Sequence, residues 1–218
     1  MRVCRRSLMA ALPATGAAVA LTMWPPLRWM SVARAANATE VAKAPSLADM
    51  ALGSESAPVT VIEYAALTCL DCARFNEVVF PRIKSAFIDT GKARYVLREF
   101  ILDAKDVGCA MLARGIAKQD SARYFAIVDA MFRQQENLVQ RTADTLKLVG
   151  RQAGLSAQEV EDCLKDQELM DRMAADQKYA REVLKVEGTP TFFINGEMMK
   201  GERSFEEFDK RIKSLLKS

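Results

Sequence analysis

Two cysteines separated by two residues are the part of the chain whose chemistry is easiest to state. Cys69-Leu70-Asp71-Cys72 follows a strand-like run and opens a helix-like run. Cysteines at positions i and i+3 in the first turn of a helix are close enough to form a disulfide with each other. The positive end of the helix dipole also favours the thiolate of the first cysteine. The motif therefore predicts a thiol-disulfide redox site.

A second motif lies far along the chain, at Gly188-Thr189-Pro190-Thr191. A Thr-Pro pair at the entrance of a strand forms a turn. We expect this turn to lie against the two sulfurs and to offer its backbone to a peptide substrate.

The chain contains no histidine, which excludes Cys-His hydrolase chemistry and most Ser-His triads. A zinc site would need four cysteines, but Cys109 and Cys163 lack the paired spacing of zinc motifs. A second alternative is a non-enzymatic exported binding protein with structural disulfides, which predicts a buried and unreactive Cys69. We expect neither a metal nor a cofactor.

Residues 1–35 have the pattern of a secretory signal: a basic start, an apolar stretch over residues 8–23, and Ala33-Arg34-Ala35 as a cleavage site. A membrane anchor needs about 20 uninterrupted apolar residues, and Pro25, Pro26 and Arg28 end the apolar run before that length is reached. Arg5-Arg6 resembles a twin-arginine signal, which leaves the export route open. We expect a periplasmic protein that is exported by a cleaved signal peptide.

Cleavage removes Cys4 and leaves four cysteines. An even number in an oxidising compartment favours two disulfides. Proximity pairs Cys69 with Cys72, and Cys109 with Cys163 is then predicted as a structural bridge. The alternative is that these two are buried free thiols that pack as small hydrophobic side chains.

The net charge of the mature chain gives no sign of nucleic-acid binding. Without the signal, 26 basic residues face 28 acidic ones, so the basic surface that nucleic acids require is not indicated. The 218 residues, half of them hydrophobic, suffice for one domain with a large insertion.

The elements around the first motif are typical of a parallel βαβ unit. Residues 59–64 predict a buried strand, a helix starts at Leu70, and residues 93–102 predict the next strand. Pro81 should kink or divide the helix. The cysteines then lie at the carboxyl end of the first strand, where open α/β sheets place their sites.

The remaining chain divides into an arm, a helical block and a closing segment. Residues 36–57 predict an exposed lead-in arm, and residues 103–186 are helical almost throughout, with Ser156 and Glu159 spaced as a capping box. Asn195-Gly196 predicts a β-hairpin before a final amphipathic helix. Residues 58–102 and 187–218 thus form one α/β domain, and residues 103–186 form an all-helical insertion domain.

Together these motifs resemble those of the DsbA-like exported thiol:disulfide oxidoreductases, which have a thioredoxin fold with a helical insertion. The resemblance covers about residues 57–218. It is carried by Glu63-Tyr64, Thr68-Cys69-Leu70-Asp71-Cys72-Ala73-Arg74-Phe75, Gly91-Lys92-Ala93-Arg94-Tyr95 and Gly188-Thr189-Pro190-Thr191-Phe192-Phe193-Ile194-Asn195-Gly196.

The resemblance implies a role for each matching position. Cys69 would be the exposed nucleophile and Cys72 the shielded resolving thiol. Thr189-Pro190 would be the cis-proline loop, and Glu63 a buried acid that relays a proton to or from Cys72. For Glu63 the alternative is an ordinary strand carboxylate facing solvent. Cys109 and Cys163 also resemble the second disulfide that a subset of the family has.

The resemblance further implies the partners and the direction of the reaction. The substrates would be unfolded or reduced exported proteins, and a quinone-linked membrane protein of the DsbB kind would reoxidise the enzyme, which we expect to be a monomer. We favour an oxidase that introduces disulfides. A disulfide isomerase or reductase of the same fold is the alternative.

One position departs from the family pattern. Strongly oxidising members have a histidine before the second cysteine, where this chain has Asp71. Leu70 and Asp71 are therefore the expected tuning residues. A carboxylate about 6 Å from the Cys69 sulfur should raise its pKa by roughly half a unit to two units. We expect a weaker oxidant than the histidine-bearing members.

Overall fold

The computed structural model describes residues 39–43 and 46–217, so the predicted signal, residues 1–35, lies outside the described residues. A five-stranded sheet has the order β1-β3-β2-β4-β5. β2 and β3 run parallel, and the other neighbouring pairs run antiparallel. The strands are β1 Met50–Leu52, β2 Val59–Ala65, β3 Ala93–Glu99, β4 Thr191–Ile194 and β5 Glu197–Lys200.

Helices connect and cover the sheet. The run between β2 and β3, named α1, consists of four consecutive segments: Leu70–Arg74, Phe75–Val79, Phe80–Ile83 and Lys84–Ile88. Six helices lie between β3 and β4, and one follows β5. They are α2 Ala104–Ala117, α3 Ser121–Phe132, α4 Gln135–Gln140, α5 Thr142–Gln152, α6 Ala157–Leu164, α7 Gln167–Glu182 and α8 Phe205–Leu215. This order confirms the predicted α/β fold with a helical insertion.

The two faces of the sheet pack against different helices because successive side chains of a strand point to opposite faces. In β2, Val61 belongs to the core under α1 and α8, whereas Ile62 belongs to a second core that also contains Ala180 of α7. Glu63 is two residues from Val61 and therefore faces α1. The strand period thus places a carboxyl group beneath the helix that carries the cysteines.

Two π-helical turns, Phe75–Val79 and Lys84–Ile88, interrupt α1. Pro81 lies between them, as the second residue of the α-helical segment Phe80–Ile83. A proline ring clashes with the carbonyl group four residues earlier, which here belongs to Glu77 in the first π-turn. The wider turn accommodates that clash, so Pro81 divides the helix as predicted and the helical run still continues to Ile88.

The lead-in arm was predicted to be exposed, but part of it is buried. Val41, Leu47 and Met50 are buried, and β1 pairs with β3. Arg98 of β3 donates two hydrogen bonds to the Asp49 carboxylate, at 2.8 and 3.0 Å. The arm has short polar and apolar stretches without a strand period, and its partner residues lie about 50 positions away, so local sequence did not indicate the pairing.

Two local signals were predicted correctly. Ser156 and Glu159 form a reciprocal capping box at the start of α6. Asn195 and Gly196 connect β4 to β5 with φ values of 46° and 86°, as the tight hairpin turn requires. The hairpin fixes the position of the segment that precedes β4, which is the Thr189-Pro190 loop.

Candidate active site

Cys69 lies between the end of β2 and the first turn of α1. It is the extended N-cap residue of the helix, and its carbonyl oxygen accepts a hydrogen bond from the Ala73 N–H at 3.1 Å. Cys69 is partly exposed, whereas Cys72 is completely buried. The pair therefore has the asymmetry that the resemblance implied, with one accessible sulfur and one shielded sulfur.

The surroundings of Cys69 stabilise its thiolate. Its pKa falls from 9.0 to about 5, chiefly because the Cys72 thiol donates a hydrogen bond to the sulfur. Partial burial opposes this shift. Thr189 and the main-chain N–H groups of Cys72 and Asp71 lower the pKa further. At neutral pH the reduced site therefore carries one negative charge, on Cys69.

Cys72 is shifted in the opposite direction. Burial raises its pKa well above the ordinary value, and the hydrogen bond to Cys69 and the charge of Glu63 raise it further. A thiol in this state does not ionise by itself near neutral pH. A proton acceptor close to Cys72 is therefore needed whenever that sulfur acts as a nucleophile.

The Thr189-Pro190 loop lies against the first sulfur. Its peptide bond is cis, as the resemblance implied, and the Cys69 thiol donates to the Thr189 carbonyl oxygen at 3.5 Å. The Thr189 hydroxyl is buried and has no hydrogen-bond partner among the described residues. It is available to donate to the sulfur once Cys69 becomes a thiolate. The two distant sequence motifs thus meet in one site.

Glu63 is buried and not turned to solvent, so the alternative interpretation of this residue is wrong. Only 2% of its surface is exposed, and the Tyr95 hydroxyl donates a hydrogen bond to its Oε2 atom. Burial raises the pKa of Glu63 from 4.5 to about 8, the Tyr95 hydrogen bond acts in the opposite direction, and the Cys69 charge raises it further. Glu63 is therefore protonated at neutral pH.

The side chains of the two residues between the cysteines are largely exposed. Leu70 is 62% exposed. The Asp71 carboxylate lies 3.7 Å from the Arg74 guanidinium, and it is not among the main causes of the Cys69 shift, whereas its main-chain N–H is. Because Arg74 offsets part of the Asp71 charge, we place the effect of that charge at the lower end of the expected range.

Two residues that sequence reasoning missed support the site. Tyr95 is the hydrogen-bond donor to Glu63. Asp106 is buried in the first turn of α2, and its carboxylate accepts from Thr68 N at 3.0 Å and from Leu102 N at 3.1 Å. It thereby joins the loop before Cys69 to the loop after β3. An acidic residue in a first helical turn is common, so no local pattern singled out Asp106.

The predicted bridge between Cys109 and Cys163 is not formed in this structure, where all four described cysteines are free thiols. Cys109 is fully buried, and burial raises its pKa to about 12. Cys163 packs against Gly115, where a Cβ atom would lie 2.5 Å from its sulfur. Gly115 is six residues beyond Cys109 on α2, which is about 9 Å along the helix axis.

Residues 39–43 and 46–217 contain no group of three or more His, Cys, Asp or Glu side chains placed to hold a metal ion. Within the same ranges, each helix is too short or too polar to span a bilayer.

A family model described as "Thioredoxin" matches residues 46–214. The chain belongs to the thioredoxin family. Its α/β sheet with a helical insertion is the thioredoxin fold that the sequence predicted, and the similar proteins place it among the DsbA-like members.

Three relatives illustrate the similarity within the thioredoxin family. A putative protein-disulfide oxidoreductase of Rickettsia bellii is 33% identical over 68% of this chain and 57% of its own length. The chain thus spans little more than half of that relative. The crystal structure of alpha-DsbA1 from Wolbachia pipientis is 31% identical with a TM-score of 0.72, over 81% of this chain and 94% of that one. The disulfide bond formation protein D of Bacillus subtilis is 26% identical over 76% of each chain.

Proposed function

We propose that this protein is a thiol:disulfide oxidoreductase that introduces disulfides into exported proteins through Cys69 and Cys72. The observation that carries the proposal is the unequal placement of the two sulfurs, with Cys69 partly exposed beside the cis Thr189-Pro190 bond and Cys72 completely buried. These surroundings lower the pKa of Cys69 to about 5 and raise that of Cys72. A stabilised thiolate favours the reduced form of the pair and makes its disulfide more oxidising.

The reaction starts from the Cys69–Cys72 disulfide. A substrate thiolate attacks the Cys69 sulfur, a bond forms between these two sulfurs, and the Cys69–Cys72 bond breaks. Cys72 leaves as a thiolate and takes the proton of Glu63, which is protonated at neutral pH. A second substrate thiolate then attacks the substrate sulfur of the mixed disulfide. Cys69 departs as a stabilised thiolate, the substrate is oxidised by two electrons, and the enzyme is reduced by two.

The cis-proline loop supports the binding of the substrate chain. The loop before β4 lies beside Cys69, where the Thr189 carbonyl oxygen is within 3.5 Å of the sulfur. An extended peptide bound along this loop would bring its cysteine to the exposed sulfur. Main-chain recognition of this kind is independent of the substrate sequence, which suits an enzyme that acts on many unfolded proteins.

We further propose that the protein acts as a monomer in the periplasm after removal of residues 1–35, and that a quinone-linked membrane protein of the DsbB kind reoxidises it. The predicted signal can be tested by fusing residues 1–35 to a reporter enzyme that is active only after export. An inactive reporter would contradict the export proposal.

The direct test of the activity is the oxidation of a reduced peptide that contains two cysteines by the purified oxidised protein, without glutathione. We expect stoichiometric formation of the peptide disulfide with wild type and none with Cys69→Ser. Cys163→Ser is the matched control and should retain the reaction, because Cys163 lies outside the site. If wild type leaves the peptide reduced, the oxidase proposal fails. Reduction of an oxidised peptide by the reduced protein would favour the reductase alternative.

A further inference from the structure

Tyr95 is a buried residue that contacts Glu63 and to which the reaction above assigns no role. It lies on β3, opposite Val61 of the parallel strand β2, and only 2% of its surface is exposed. Since Val61 and Glu63 share a face of β2, the register brings the Tyr95 ring to the α1 face beside Glu63. Its hydroxyl donates to Glu63 Oε2.

The ring of Tyr95 is held by aromatic contacts from two other elements. Its centroid lies 4.6 Å from that of Phe80 in α1 and 5.8 Å from that of Phe125 in α3. Aromatic pairs at these distances restrict the orientation of the ring. The hydroxyl is therefore fixed by packing from α1 and from the helical insertion, and it fixes one oxygen of Glu63 in turn.

We propose that Tyr95 is the positioning residue of the proton relay: its hydroxyl holds the Glu63 carboxyl in place for proton exchange with Cys72 and stabilises the carboxylate formed when Glu63 gives up its proton. This inference rests on the proposed oxidoreductase function and extends it by one residue. Glu63 then has the Tyr95 hydroxyl as its hydrogen-bond donor. The helical insertion takes part in positioning Glu63, because Phe125 packs against the Tyr95 ring.

Among the described residues, the ionisable groups that interact with the Glu63 carboxyl include Cys69 and Cys72 of the cysteine motif, Tyr95 of β3 and Tyr124 of α3. β4 places the apolar Phe192 opposite Glu63. Each of the two tyrosines has a pKa raised well above 10 by burial, so neither ionises near neutral pH. A pH effect of removing the Tyr95 hydroxyl therefore reports on Glu63 and the cysteines.

The test uses Tyr95→Phe, which removes the hydroxyl and keeps the ring. The Cys69 thiolate of the reduced protein attacks an aromatic disulfide reagent, which gives a mixed disulfide at Cys69 and releases a first equivalent of coloured aromatic thiolate. Cys72 then attacks the Cys69 sulfur, releases the second equivalent and passes its proton to the Glu63 carboxylate. The rate of the second release is followed as a function of pH. In parallel, the Glu63 carboxyl is titrated by carbon NMR in side-chain-labelled protein and assigned with Glu63→Gln.

We expect Tyr95→Phe to raise the midpoints of both pH profiles by about one unit, because the lost hydrogen bond favours the charged carboxylate. Release at pH 7 should slow about tenfold, because the ionised fraction falls tenfold per unit. The matched control is Tyr124→Phe, since the Tyr124 hydroxyl is equally buried but donates to Glu99 at 2.6 Å. It should leave both midpoints unchanged. Thermal unfolding verifies that both variants are folded.

Unchanged midpoints in Tyr95→Phe, or equal shifts in both variants, would overturn the proposal. A shift of the carboxyl titration without a shift of the rate profile would also overturn it. Failure of the proposed function would be seen in a different experiment. The wild-type protein would then not oxidise the reduced peptide, whether or not the Glu63 titration shifts in Tyr95→Phe.

Discussion

At the scale of single residues, the site separates two chemically identical thiols into a thiolate and a protonated thiol. The Cys69 thiolate is stabilised by hydrogen bonds from the Cys72 thiol and from N–H groups of the first helical turn, and the Thr189 hydroxyl is available to donate to it. Cys72 is buried and lies near Glu63, and both conditions disfavour a second negative charge. Substitution of a residue near Cys69 should therefore shift the pKa of Cys69, by an amount that depends on the charge or hydrogen bond that is removed.

Thr189→Val should raise the pKa of Cys69 by about one unit. The substitution keeps the shape of the side chain but removes the hydroxyl that can donate to the thiolate, and hydrogen bonds to charged groups contribute about 1.5–3 kcal/mol. The measurement is a pH titration of thiolate absorbance in the ultraviolet. Thr189→Ser retains a hydroxyl and should restore most of the wild-type value. Equal pKa values in wild type and Thr189→Val would contradict this role.

Asp71→His should lower the pKa of Cys69, measured by the same titration. We expect about half a unit from removal of the negative charge, since Arg74 already offsets part of it, and a further decrease if the histidine donates to the sulfur. Asp71→Asn separates the two effects because it removes only the charge. An unchanged value in both variants would refute the proposed tuning by Asp71.

At the scale of secondary-structure elements, the ion pair between Arg98 of β3 and Asp49 is one of the contacts that attach the arm before β1 to the sheet. Arg98 is 4% exposed, and besides Asp49 it donates to the Val41 carbonyl oxygen at 3.0 Å and to the Tyr64 hydroxyl at 3.1 Å. A buried guanidinium that loses its anionic partner is left as an unpaired buried charge, which destabilises the folded state. The attachment of the arm should therefore depend strongly on Asp49.

Asp49→Asn should lower the free energy of unfolding by about 3 kcal/mol, the usual effect of removing one partner of a buried ion pair. Urea denaturation measures the change. Glu161→Gln is the matched control: its pair with Lys165 is largely exposed, so its loss should leave the free energy of unfolding nearly unchanged. Similar effects of the two substitutions would show that the arm is not held in this way.

Local sequence predicted some elements and missed others for a physical reason. The cysteine helix, the Asn195-Gly196 turn and the Ser156-Glu159 capping box depend on residues within a few positions of each other, and all three were predicted correctly. The Asp49–Arg98 pair, the Tyr95–Glu63 hydrogen bond and the contact of Cys163 with Gly115 join residues 32 to 49 positions apart. Such contacts depend on strand register and helix packing, which no local pattern encodes.

At the scale of the whole molecule, the redox state of the site is linked to the stability of the fold. In the reduced protein Cys69 has a pKa of about 5 when folded and 9.0 when unfolded. A depressed pKa contributes stability above the unfolded value, and this contribution is lost as the pH falls through the folded value. The oxidised protein has no Cys69 thiol and lacks this contribution. A more stable reduced form corresponds to a more oxidising disulfide.

The difference in thermal midpoint between reduced and oxidised protein should therefore shift in favour of the reduced form as the pH rises from 4 to 8. Calorimetry of both forms at each pH measures it. The burial of Glu63 acts in the opposite direction, because its raised pKa makes the folded state progressively less stable as the pH rises from about 4.5 to 8. Glu63 is buried in both the reduced and the oxidised protein, so this effect largely cancels in the difference. A difference that is independent of pH would contradict the low pKa of Cys69.

The reduction potential of the Cys69–Cys72 pair tests the central claim most directly. It is obtained by equilibrating the protein with glutathione and alkylating each cysteine for identification by mass. We predict a potential above about −170 mV, which is closer to that of the strongly oxidising DsbA than to that of the reductant thioredoxin. A potential below about −250 mV would mean that the pair is a reductant or a structural disulfide, and the oxidase proposal would be wrong.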